Sequence, residues 1–119
     1  MQRSASMVQG PVVFLPDREA DIMRDRARFV KELCCRLGQE TNRNKRAERL
    51  ARSFEYGQET YLKVLPEDIL SVAEAIHEAV HDLGEEHQNR IVNLVPDLKL
   101  RATLDAMLRG AMPVENEKA

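Results

Sequence analysis

Apolar residues recur at steps of three and four along most of this chain, and that spacing commits it to helices. Met23, Ala27, Val30, Cys34 and Leu37 form one row, and Ile69, Ala73, Ile76, Val80 and Leu83 form a second. Leu100, Leu104 and Met107 form a third. Such steps keep side chains on one face of a helix with about 3.6 residues per turn. Each row must bury against another, so the expectation is an all-α compact bundle of five or six helices. Rows this regular on several helices also suit a helical dimer. With no tryptophan and only three phenylalanines and two tyrosines, aliphatic side chains must make most of the core.

Proline, glycine and capping residues divide the rows. Residues 1–15 read as a flexible arm, and Val12–Leu15 is the only stretch that reads as extended. Asp17 after Pro16 is placed to cap a first helix that stops at Gly38. A second helix carries Ala47, Leu50, Ala51 and Phe54 on one face and breaks at Gly57. Gln58–Leu65 reads as a short third helix. Pro66-Glu67-Asp68 starts a fourth, with acids against the positive end of its dipole. Glu85–Val95 gives another, and Asp97 caps a last one through Arg109. Residues 16–110 therefore read as a single helical domain, followed by a frayed tail over 111–119.

The net charge of −2 gives no overall attraction to nucleic acid, but the charges are segregated. Residues 43–52 hold Arg43, Lys45, Arg46, Arg49 and Arg52 against a single Glu48. Residues 67–86 hold seven acids and no Lys or Arg. Cys34 and Cys35 are adjacent, so on a helix they point in different directions and cannot easily bridge. They read as reduced thiols of a cytoplasmic protein. No stretch is long and apolar enough for a membrane span or a secretory leader.

The segment LARSFEYGQETYLKVL, residues 50–65, resembles a helix-turn-helix. That resemblance implies a second helix in the major groove, with Gln58, Thr60 and Lys63 (beside Glu59) at base edges. Arg43, Lys45, Arg46, Arg49 and Arg52 would then contact phosphates.

All three histidines fall in HEAVHDLGEEH, residues 77–87. The pattern H-E-x-x-H-x-x-G-x-x-H resembles the signature of the metzincin zinc peptidases. The resemblance implies His77, His81 and His87 as zinc ligands, Glu78 as general base and Gly84 as the turn. On an unbroken helix His87 lies roughly 120° from His81, so the site closes only if Gly84 turns the chain in a left-handed conformation. The metzincin sheet has no counterpart here, and Met107 and Met112 are the only candidates for a methionine turn. Without metal, the same stretch is an acidic helix surface.

Read as a whole, the sequence describes a small cytoplasmic regulatory protein that acts by binding. A helix-turn-helix-like, self-associating DNA-binding regulator without a cofactor is the first expectation. The alternatives are a zinc-dependent hydrolase built on HEAVHDLGEEH, and a helical adaptor that engages a protein partner through the acidic helix 67–86.

Overall fold

The computed structural model describes the backbone of residues 11–110 and the side chains of residues 18–110. Among these residues five α-helices follow one another: α1 Pro11–Leu37, α2 Arg43–Gly57, α3 Ile69–Val80, α4 Glu85–Asn93 and α5 Leu98–Leu108. A single 3-10 turn, Pro66–Asp68, leads into α3. The all-α bundle is as the apolar rows require. The tail over 111–119, with Met112, and the first ten residues of the arm lie outside the described residues.

The three rows bury as their spacing implies. Ala27, Val30 and Cys34 of α1 pack inward while Cys35 is exposed. Val72, Ala73, Ile76 and Val80 of α3 meet them, and α3 also packs along Leu100 and Leu104 of α5. Phe54 and Leu50 of α2 and Ile91 of α4 complete this core with no exposed surface to speak of. The caps are explicit. The side-chain oxygen of Asn42 accepts the Lys45 N–H at 2.9 Å, and the Asp97 carboxylate accepts those of Lys99 and Leu100 at 3.0 and 3.1 Å.

Two segments depart from the sequence reading. Val12–Leu15 is helical and not extended, so α1 begins at Pro11 and Asp17 is not its cap. No strand exists among the described residues to pair with this segment. A helix satisfies its own backbone groups, and proline suits the first helical position. The helix runs through Pro16, which has no N–H to donate.

Gln58–Leu65 is not a helix. The Gly57 carbonyl accepts the N–H groups of Thr60, Tyr61 and Leu62 at 3.0–3.1 Å, which closes the chain into a tight turn. Beyond it, Leu62 and Val64 are buried and Lys63 between them is exposed, an alternation proper to extended chain. Pro66 disfavours the helical region for Leu65, which is extended at φ −71° and ψ 153°. The helix-turn-helix reading therefore loses its second helix.

Candidate interaction surface

The basic helix α2 is tied into the fold. Arg46 stands four residues before Leu50, in phase with the apolar row, and is 7% exposed. Its guanidinium donates to the Glu40 carbonyl at 2.9 Å, to the Ala79 carbonyl at 3.2 Å and to the Asp82 carboxylate. One side chain thereby joins the entry to α2 with the end of α3. Arg43 lies 3.6 Å from the other oxygen of Asp82. The hydrogen bond from Arg46 first, then the charges of Arg46 and Arg43, hold the Asp82 carboxyl below the usual carboxylate range. Arg90 of α4 reaches Glu48 at 3.0 Å.

Three basic side chains remain on the outer face. Lys45, Arg49 and Arg52 are exposed and step by four and three, and Tyr56 continues the row four residues on. Lys45 and Arg49 each lie 3.9 Å from one oxygen of Glu40, near the limit of an ion pair. The Asn42 N–H first, and then the charges of Lys45, Arg49 and Arg46, lower the pKa of that carboxyl. Arg52 takes part in no ion pair among the described residues.

The row ends in an aromatic cluster. Tyr56 is 78% exposed and Phe29 of α1 is 44% exposed. Tyr61 stands between them, edge-on to Phe29 at 5.0 Å and tilted to Tyr56 at 6.4 Å between ring centroids. Ile22, two turns before Phe29 on α1, is also exposed. The Tyr61 hydroxyl donates to the Ser53 carbonyl. Its ring lies directly on Gly57, where an added Cβ would come within 2.3 Å of ring carbons. Gly57→Ala is therefore expected to dislodge Tyr61 and to cost about 1–3 kcal/mol, with altered tyrosine fluorescence in the folded state. Unchanged stability in a denaturant titration would mean that Tyr61 does not hold this position.

The sequence-derived DNA residues are thus divided. Arg46 is buried and engaged by internal acceptors, and Arg43 is exposed with its guanidinium 3.6 Å from Asp82. Lys45, Arg49 and Arg52 share one exposed face. Gln58, Thr60 and Lys63 lie on a turn and an extended segment and form no recognition helix.

The histidines are divided as well. His77 and His81 lie one turn apart at the end of α3, with stacked rings 5.5 Å between centroids. The chain then turns, and Gln88 of α4 donates to the carbonyls of Val80 and His81 at 3.1 and 3.2 Å. Gly84 caps α4 in an extended conformation, φ −65° and ψ 158°, and not in the left-handed one that the three-histidine site needs. Among the described residues no group of three or more His, Cys, Asp or Glu side chains is placed to hold a metal ion. His87 does not join the pair. Met107 packs against the core.

Cys34 and Cys35 line a cleft of about 300 Å³ between α1 and α3, with Lys31 and Glu78 at its walls. Burial first, then the neighbouring Cys35, pushes the Cys34 thiol up to about 12. A thiol-alkylating reagent should therefore modify the folded protein once, at Cys35, and reach Cys34 only on unfolding. Double labelling of the folded chain, read by mass spectrometry, would contradict that placement.

Comparison of the chain with family models, curated proteins and solved structures gives no match. No helix among the described residues is long and apolar enough to cross a membrane.

Proposed function

We propose that this protein acts by binding another protein, as a helical interaction module whose working surface is the outer face of α2 and the aromatic cluster at its end. The observation that carries this reading is the continuity of Lys45, Arg49 and Arg52 with Tyr56, Tyr61 and Phe29. Exposed tyrosine, phenylalanine and arginine are the residue types that concentrate in the cores of protein interfaces. The three exposed cations of this face select a partner segment that is acidic and carries apolar anchors. Duplex DNA is disfavoured as the partner, because the recognition helix is missing and Arg46 is engaged internally.

The test uses the full chain as bait, beside a Phe29→Ala/Tyr56→Ala variant and an Arg49→Ala/Arg52→Ala variant. Both variants alter exposed side chains and should melt within a few degrees of the parent. The reading expects a partner that binds the parent, is lost from the aromatic variant and is weakened in the arginine variant, with affinity falling as salt rises. Equal binding to all three proteins would overturn it. So would tight, steeply salt-dependent binding to duplex DNA that depends on Arg49 and Arg52.

A further inference from the structure

We infer that His77 and His81 form half of a zinc site, and that a second copy of the chain supplies the other half through the same two residues. The pair sits at i and i+4 on α3, the spacing at which two imidazoles of one helix bind a single zinc ion. His81 is exposed and His77 half-buried, so both rings can be reached from solvent. Zinc in a closed site takes about four ligands, and two histidines leave two positions open. Among the described residues nothing else fills them, since no third His, Cys, Asp or Glu gathers with the pair.

The rest of the face argues for a second copy. Leu70, Glu74, His77 and His81 follow one another at steps of four, three and four on the outer side of α3. Leu70 is 47% exposed, so the stripe has an apolar end and a metal-binding end. A two-fold axis through the metal would set each stripe against its equivalent, as isologous interfaces do.

Charge makes this contact conditional. Glu74, Glu78, Asp82, Glu85 and Glu86 flank the pair along the chain, and no Lys or Arg lies between residues 67 and 86. Of the cations that approach this region, Arg43 and Arg46 are held on Asp82, Arg24 reaches Glu67 at 3.6 Å, and Lys31 lies on the α1 side of the cleft that Glu78 also lines. Two such acidic faces repel one another until a divalent cation stands between them. Zinc is thus both the ligand and the switch for the contact. The inference does not rest on the proposed protein-binding surface of α2.

The experiment is sedimentation of the full chain, first stripped with a chelator and then titrated with zinc, with bound metal counted. The expected result is a doubling of mass with one zinc for every two chains, reversed by the chelator. His77→Ala/His81→Ala should lose both the metal and the doubling, while His87→Ala keeps both. A His81→Gln variant, which changes only an exposed ring, guards against a folding defect and should also lose them. One zinc per chain at unchanged mass would overturn the inference. So would no zinc binding, or a site that His87→Ala abolishes.

Discussion

Phe54→Ala lowers the free energy of unfolding by about 3–5 kcal/mol, the largest loss expected from any single truncation in this protein. Phe54 is the largest side chain with no exposed surface, and it shares one core cluster with Leu50, Leu62 and the buried rows of α3 and α5. Aliphatic residues make up nearly all of that cluster, and none of them is large enough to fill an aromatic-sized void by a rotamer change. The loss is therefore a transfer term plus a cavity term. Phe54→Leu, which keeps most of the volume, loses much less. Urea unfolding with an unchanged m-value checks both variants. A loss below about 1 kcal/mol for Phe54→Ala would show that α2 is not seated on this core as described.

Arg46→Ala is the second large effect, at about 2–4 kcal/mol. The guanidinium serves three acceptors on two segments, so its removal strands the carbonyls of Glu40 and Ala79 and leaves Asp82 to Arg43 alone. Arg46→Lys should recover little, because a single ammonium cannot span the same three oxygens in a plane. The pH dependence follows from Asp82, whose folded pKa is depressed. Its contribution is complete above the unfolded aspartate value, about 3.9, and is lost as pH falls through the lower folded value. Asp82→Asn should therefore flatten the acid limb of the stability profile and leave the neutral-to-alkaline side parallel to the parent. An acid limb as steep as the parent's would show that Asp82 is not the group being titrated.

Much of the fold is written in apolar spacing. The rows on α1, α3 and α5, the stop at Gly38 and the cap at Asp97 all follow from side-chain size and backbone preference, which act locally. Gln58–Leu65 resists the same reading because two periods compete within it. The helical one rests on Thr60 and an apolar pair, while Leu62, Lys63 and Val64 alternate ahead of a proline. Tertiary burial of Leu62 and Val64 decides for the extended form. At the amino end, Val12–Leu15 has strand-favouring residue types but, among the described residues, no strand to pair with.

The candidate sites show a different limit. Charge clusters are visible in sequence, but their pairing depends on which helix ends meet. Arg46 has one signal, a basic residue in phase with an apolar row. Asp82, its partner 36 residues on, has none. The histidine spacing suggested three ligands, yet one backbone conformation at Gly84 separates two of them from the third. The aromatic cluster joins Phe29, Tyr56 and Tyr61 from α1, α2 and the turn beyond it, and no linear pattern brings those positions together.

The most direct test of the interaction surface is photo-cross-linking from position 56. A photoreactive phenylalanine analogue in place of Tyr56 keeps an aromatic ring at the end of the basic row, 78% exposed in the parent. The same analogue at Asn89, an exposed position on α4, serves as the control. With native extract and light, the account predicts a protein adduct from position 56, absent from position 89, whose cross-linked peptide is acidic and carries apolar side chains. A nucleic-acid adduct at position 56, or the same adducts from both positions, would contradict it.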